Sequence, residues 1–151
     1  MSTTPASLRP EPICGMDTWM PAAARILKVR PENFNTLTYT MQFVDEEIRR
    51  QYRFIPGQFN MVYVPGVGEA AISMSSNPSR TDTIDHTIRK VGSVTRAVER
   101  YEEGRVVGLR GPFGRGWPLE EIPGHDVVIV AGGIGLAPLR PIVYWLLENR
   151  D

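Results

Sequence analysis

Hydrophobic and polar residues alternate in short runs from residue 22 onward, a pattern typical of β-strands with one buried and one wet side. In the clearest run, threonines at every second position from Thr36 to Thr40 alternate with apolar or aromatic residues. Six such segments, separated by turn residues, are predicted as strands: Ala24–Val29, Thr36–Val44, Phe59–Val64, Ala71–Ser75, Ile84–Val91 and Val106–Leu109. This succession predicts a mainly β fold, a six-stranded antiparallel barrel.

One helix is predicted between the fifth and sixth of these segments. Four apolar or aromatic residues recur there at helical spacing: Val94, Ala97, Val98 and Tyr101. Ser93 is expected to cap the start of this helix and Gly104 its end. The apolar face indicates that the helix packs on the barrel and covers one of its openings.

The pattern changes after Gly124 from short strands to a strand followed by a helix. Val127–Ala131 is predicted as a strand, a glycine-rich turn follows, and Pro138 and Pro141 fall in the expected first turn of a helix. A strand, a turn and a helix in this order are the opening unit of an α/β nucleotide-binding domain. We therefore divide the chain into a flexible arm, a barrel domain and an incomplete nucleotide-binding domain, over residues 1–21, 22–124 and 125–151.

Composition narrows the classes of partner. The 151 residues carry 17 basic and 17 acidic side chains, without a basic block suited to nucleic acid or an anionic membrane. Cys14 is the single cysteine, which excludes an internal disulfide or a cysteine-ligated cluster and favours a reducing cytoplasm. His86 and His125 lack ligand-like spacing and are expected at the surface or at a domain boundary. No run of about twenty apolar residues predicts a membrane span.

The tetrapeptide Gly92-Ser93-Val94-Thr95 is the first candidate ligand-binding segment. It lies at the end of a predicted strand and opens the predicted helix, where unpaired amides and the helix dipole favour an anion. Gly92 permits close backbone approach and Thr95 adds a hydroxyl group. The segment is either a phosphate site or an ordinary helix cap with a solvated threonine.

The fourth strand segment has small and hydroxyl-bearing side chains between Ala70 and Ser76. Small side chains allow a flat ring to lie against the backbone, and Ser73 or Ser75 can donate hydrogen bonds to it. The alternative is a solvent-facing edge strand.

The third segment is the glycine-rich turn Gly132-Gly133-x-Gly135-x-Ala137-Pro138. Its amides can bind a dinucleotide pyrophosphate, although its spacing differs from the usual Gly-x-Gly-x-x-Gly. A tight strand-to-helix turn whose glycines serve packing alone explains the same residues.

Along the chain, a small-residue serine strand is followed by a Gly-x-x-Thr helix start, a Gly-Pro-x-Gly turn and a strand that leads into Gly-Gly-x-Gly-x-Ala-Pro. This order resembles that of the ferredoxin-NADP reductase superfamily, and the resemblance covers residues 22–151. It is most like the gamma subunits of nickel-iron hydrogenases and sulfhydrogenases, with dihydroorotate dehydrogenase electron-transfer subunits and anaerobic sulfite reductase subunits also similar. The motifs that carry it are Phe54-x-Pro56-Gly57-Gln58-Phe59, Val64-Pro65-Gly66-Val67-Gly68-Glu69-Ala70, Ile72-Ser73-x-Ser75-Ser76 and Arg89-x-Val91-Gly92-x-Val94-Thr95.

The resemblance implies a Greek-key barrel that binds FAD, NAD(P)H as substrate, and an iron-sulfur or hydrogenase-type subunit as electron partner. It implies that Ser73 is the catalytic residue beside the flavin ring and that Gly92 to Thr95 contact the pyrophosphate. The cofactor-binding residues that it implies are Ile72, Ser73, Met74, Ser75, Arg89, Val91, Gly92, Ser93, Val94, Thr95, Gly132, Gly133, Gly135, Ala137 and Pro138.

Two residues depart from the superfamily's common Arg-x-Tyr-Ser element. Ala70 replaces the arginine and Ile72 the tyrosine, which removes a fixed charge and an aromatic platform. Arg89, Lys90 or Arg96 can restore the charge.

The similar proteins also continue beyond the length of this chain, so we expect it to bind flavin better than nicotinamide nucleotide. A flavin-free docking module is the alternative to an electron-transfer subunit of the hydrogenase, dihydroorotate dehydrogenase or sulfite reductase type.

Overall fold

The computed structural model of the chain describes residues 19–149. Most of the arm predicted over residues 1–21, including Cys14, lies outside the described residues. The described strands are β1 (Ala22–Asn33), β2 (Thr36–Phe43), β3 (Phe59–Val64), β4 (Gly68–Ser73), β5 (Ile84–Arg89) and β6 (Val106–Phe113). The described α-helices are α1 (Glu46–Gln51), α2 (Ser93–Val98) and α3 (Leu136–Glu148). None of them is long and apolar enough to cross a membrane.

All six strands belong to one antiparallel sheet in the order β4-β3-β6-β1-β2-β5. The edge strands β4 and β5 approach each other where Met74 and His86 form an isolated bridge. Beside this bridge, the Ser75 amide donates to the Asp85 carbonyl oxygen over 2.8 Å. The sheet therefore closes at one end, and the six-stranded antiparallel fold predicted from the alternation is confirmed.

The core lies on the inner side of this sheet, and burial alternates strictly along β3, where Asn60, Val62 and Val64 are buried. Tyr39 and Met41 of β2 and Val62 and Val64 of β3 are at most 1% exposed. Such alternation makes register and burial interdependent, because a slip of one residue would turn the apolar set towards water.

Helix α2 covers an opening of the barrel, as the pattern predicts. Val94 and Val98 enter the core, and the Tyr39 hydroxyl donates to the Val98 carbonyl oxygen over 3.2 Å. The predicted ends were wrong. Gly92, not Ser93, occupies the N-cap position, because the Thr95 hydroxyl reaches back to accept from the Gly92 amide over 2.9 Å. The helix ends at Val98, and Gly104 lies in the turn that leads into β6.

Helix α1 was not predicted, because its six residues carry no apolar stripe. Asp45 nevertheless provides a start signal, since its carboxylate accepts from the Glu47 and Ile48 amides over 2.8 and 3.0 Å. This is the N-cap role in which aspartate is preferred.

The predicted strand Val127–Ala131 is absent, and residues 125–132 have no regular secondary structure. Val128 and Val130 are 84% and 85% exposed. No neighbouring strand among the described residues supplies the ladder hydrogen bonds that a strand requires. The predicted helix is present as α3, but Pro141 lies inside it and not in its first turn, so the carbonyl four residues earlier loses its usual amide donor.

Candidate functional site

An open cleft of about 550 Å³ lies where the edge strands β4 and β5 diverge from their meeting point. Residues 69–73 form one wall, residues 87–89 and 91–95 form the opposite wall, and residues 134, 135, 137 and 138 complete the lining. Its volume falls in the range of about 300–1,000 Å³ that is usual for small-molecule sites. The cleft therefore brings together all three segments that the sequence singles out.

On the β4 wall, the lining includes Ala70, Ile72 and Ser73. Met74 and Ser75, also predicted to bind the cofactor, do not line the cleft. Met74 is 1% exposed and packs in the core, and the Ser75 hydroxyl bonds the Thr87 hydroxyl over 2.9 Å. Both residues follow the end of β4 at Ser73, where Met74 bridges His86 and the Ser75 amide donates to the Asp85 carbonyl oxygen. They therefore lie where the two edge strands meet, not where the strands diverge.

On the opposite wall, the cleft lining includes six of the residues that the resemblance implies as cofactor-binding: Arg89, Val91, Gly92, Ser93, Val94 and Thr95. A Cβ added at Gly92 would meet no heavy atom within 4 Å, so the backbone there is open to a ligand. The Thr95 hydroxyl is not a free donor, because it accepts from the Val91 and Gly92 amides and donates to the Gly92 carbonyl oxygen. Its first role is to shape this turn.

The glycine-rich turn contributes only part of its length. Gly135, Ala137 and Pro138 line the cleft, whereas Gly132 and Gly133 do not. The turn is a single 3₁₀ turn that runs directly into α3. At the other end of α3, the Glu148 carboxylate accepts from Asn77 over 2.5 Å and from Ser79 over 2.6 Å, which attaches this helix to the loop after β4.

The charges around the cleft favour an anion. Arg89 lines the wall, and its side chain has no ion-pair or hydrogen-bond partner within residues 19–149. Lys90, in contrast, pairs with Glu99 over 2.5 Å. Glu69 pairs with Arg110, and the hydrogen bond from Arg110 is the main cause that lowers the pKa of the Glu69 carboxyl. Arg89 is therefore a cation of the cleft lining that has no charge partner among residues 19–149.

A buried polar chain lies behind the β4 wall, and sequence reasoning missed it. The expectation that His86 is a surface or boundary residue was wrong, because His86 and Asn60 are both 0% exposed. The two-residue repeat of the strands indicates this burial, because Asn60 lies on the same face of β3 as Val62 and Val64. His86 is likewise in phase with Ile84 and Ile88, which are buried.

The burial of His86 gives a prediction about stability and pH. Desolvation lowers the pKa of this imidazole from 6.5 to about 4. The unfolded chain therefore binds a proton at a higher pH than the folded chain does, so folding should lose stability as pH falls from about 6.5 to about 4. We expect urea midpoints to decrease over this interval and to depend less on pH in a His86→Gln variant. An equal pH dependence in the variant would contradict this assignment.

Sequence comparison finds similar proteins among sulfhydrogenase gamma subunits and dihydroorotate dehydrogenase electron transfer subunits. The chain is 36% identical over 126 residues to sulfhydrogenase 2 subunit gamma of Pyrococcus furiosus, covering 83% of this chain and 43% of that protein. It is 34% identical over 122 residues to a probable dihydroorotate dehydrogenase B (NAD(+)) electron transfer subunit of Methanocella arvoryzae, covering 81% and 42%. The chain thus spans less than half the length of these curated relatives.

The solved structures agree on the fold. The cytochrome P450 reductase GcoB of Amycolatopsis superposes with a TM-score of 0.70 at 24% identity, covering 85% of this chain and 39% of that one. No protein family model matches the chain.

Proposed function

Because the chain is a homologue of sulfhydrogenase gamma subunits and has the ferredoxin reductase-type fold, we propose that it is the FAD-binding part of an NAD(P)H-linked electron-transfer subunit. One observation carries the proposal: the cleft unites β4, the turn at Gly92 and the turn at Gly135, which are far apart in the sequence. In this proposal, residues 22–124 form the flavin domain, residues from 125 onward belong to the nicotinamide-nucleotide part, and the protein works in the cytoplasm.

The residues present fit FAD. Small side chains at Ala70 and Ala71 leave room along the edge of β4, where a flat ring can approach the backbone. Arg89 and the amides around Gly92 suit the pyrophosphate, and Arg89 compensates for the arginine missing at Ala70. Bound FAD would supply acceptance of a hydride from NAD(P)H and release of single electrons to an iron-sulfur or hydrogenase-type partner.

In this proposal, the chain's own residues bind, orient and shield the flavin. Ser73 lines the cleft at the end of β4, and in this proposal its hydroxyl group lies beside the flavin ring. The turn at Gly135, Ala137 and Pro138 borders the same cleft and is the proposed approach for the nicotinamide nucleotide. An electron-transfer subunit of the dihydroorotate dehydrogenase type is the second candidate, favoured by the relative from Methanocella arvoryzae.

An absorbance spectrum tests the proposal. The purified chain is mixed with excess FAD, desalted and scanned before and after dithionite. Retained flavin bands that bleach on reduction support the proposal. A folded protein that remains colourless contradicts it and favours a flavin-free docking module.

The free charge of Arg89 leads to a prediction about affinity. Arg89→Gln should raise the FAD dissociation constant about tenfold, since a charge-assisted hydrogen bond contributes roughly 1.5–3 kcal/mol and Arg89 is partly solvated. Arg96→Gln is the matched control, because Arg96 lies on α2 outside the cleft lining. Fluorescence titration with FAD measures both, and equal effects of the two variants would contradict the assignment.

A further inference from the structure

A continuous chain of hydrogen bonds crosses the barrel interior and ends at the backbone of Ser73. The Tyr52 hydroxyl donates to Asn60 Oδ1 over 2.6 Å. Asn60 Nδ2 lies 3.3 Å from His86 Nε2, and His86 Nδ1 lies 3.1 Å from the Ser73 carbonyl oxygen. The three side chains are at most 3% exposed, so water does not compete for these bonds.

The chemistry of the groups fixes the direction of every bond in this chain. The Ser73 carbonyl oxygen only accepts, so His86 Nδ1 must carry the proton. The unprotonated Nε2 of the neutral imidazole then accepts from the Asn60 amide, which turns Asn60 Oδ1 towards the Tyr52 hydroxyl. The Tyr52 hydroxyl also lies 3.2 Å from Met74 Sδ. Reversal of the bond between Asn60 and His86 would turn Asn60 Oδ1 towards the unprotonated Nε2 and leave two buried acceptors facing each other.

The chain ends where the proposed site begins. The bridge between Met74 and His86 closes the gap between β4 and β5, and Ser73 is the last residue of β4 before it. The Met74 side chain is buried in the core, whereas Ser73 lines the cleft. The position of the Ser73 peptide therefore sets how far this wall projects into the cleft.

We propose that His86 is a positioning residue that holds the Ser73 carbonyl group and thereby sets the Ser73 side chain against the flavin. This rests on the proposed function for the identity of the ligand. Asn60 acts one step further away, because its amide donates to His86 Nε2 and so favours the tautomer that donates to Ser73.

Two amide substitutions separate this role from general packing. In His86→Asn, the shorter amide places its NH₂ group near the position of Nδ1 and keeps the donor to Ser73. In His86→Gln, the longer amide reaches the position of Nε2 and keeps the contact with Asn60 but loses that donor. Tyr52→Phe is the control for stability, since it removes the far end of the chain and leaves the His86–Ser73 contact in place.

We expect the two amide variants, His86→Gln and His86→Asn, to differ in how they affect bound FAD. His86→Gln should shift the visible absorption bands of bound FAD and raise its dissociation constant about tenfold, the effect of losing one well-placed hydrogen bond. His86→Asn and Tyr52→Phe should keep the wild-type spectrum, although both melt at lower temperature. In the protein without FAD, nitrogen NMR should find His86 protonated at Nδ1 and not at Nε2.

Other outcomes of these measurements would contradict the positioning role of His86. A His86→Gln spectrum identical to that of the wild type, or the same shift in Tyr52→Phe, overturns the positioning role alone. A proton on Nε2 overturns the contact with Ser73, whether or not FAD binds. Failure of the wild type to retain FAD overturns the proposed function and the positioning role together.

Discussion

Alanine in place of Gly111 is expected to lower the free energy of unfolding by about 2–5 kcal/mol, the combined effect of backbone strain and overpacking. Gly111 has a φ of +146°, which side-chain-bearing residues rarely adopt. An added Cβ would also clash with Asn60 Oδ1 and lie 3.2 Å from the Phe59 carbonyl oxygen. Because that amide oxygen accepts from Tyr52, the substitution also disturbs the buried polar chain.

Gly66→Ala is the matched control for this substitution. Gly66 also has a positive φ, of +75°, but an added Cβ there meets no heavy atom within 4 Å. It should cost only the backbone strain, about 1 kcal/mol. Urea denaturation of both variants measures the difference, and equal losses would show that the space around Asn60 is not the cause.

Glutamate in place of Ser93 is expected to raise the FAD dissociation constant about 10- to 100-fold, which corresponds to roughly 1.4–2.8 kcal/mol. Ser93 lines the cleft in the first turn of α2, beside the amides assigned to the pyrophosphate. A carboxylate there repels the phosphates and competes for the same donors. The substitution should not harm folding, because an acidic residue in the first turn interacts favourably with the helix dipole.

Arg96→Gln changes the net charge by the same amount on the same helix and is the control for Ser93→Glu. Arg96 lies outside the cleft lining, so FAD affinity should change little. Fluorescence titrations at low and high salt compare the two variants, and salt should reduce the effect at Ser93. Equal losses of affinity would mean that long-range charge, and not contact with the cofactor, governs binding.

The strands were predictable where polar and apolar side chains alternate in the sequence, and burial alternates most regularly from Phe59 to Val64. The segment Val127–Ala131 is a continuous apolar run but forms no strand, since strand formation depends on a neighbour that local sequence does not reveal. Helix α1 was not predicted, because Asp45 signals a helix start but the six residues that follow carry no apolar face. Local patterns therefore predict where strands are possible, and pairing decides which of them form.

For the candidate site, the motifs were visible in the sequence but their assembly was not. Ser73 and Met74 are neighbours in one motif, yet one lines the cleft and the other lies in the core. Only the sheet order, with β4 and β5 at its two edges, explains why residues 69–73 face residues 87–95. The burial of His86 and Asn60 is predictable only if strand alternation is applied to polar residues as strictly as to apolar ones.

Hydrogen exchange with and without FAD tests most directly whether the cleft binds the cofactor. We expect slower exchange on FAD addition in peptides covering residues 69–73, 89–95 and 134–138, with α1 at residues 46–51 unchanged. Protection confined to another part of the barrel, or none at saturating FAD, would contradict the assignment of this cleft as the flavin site.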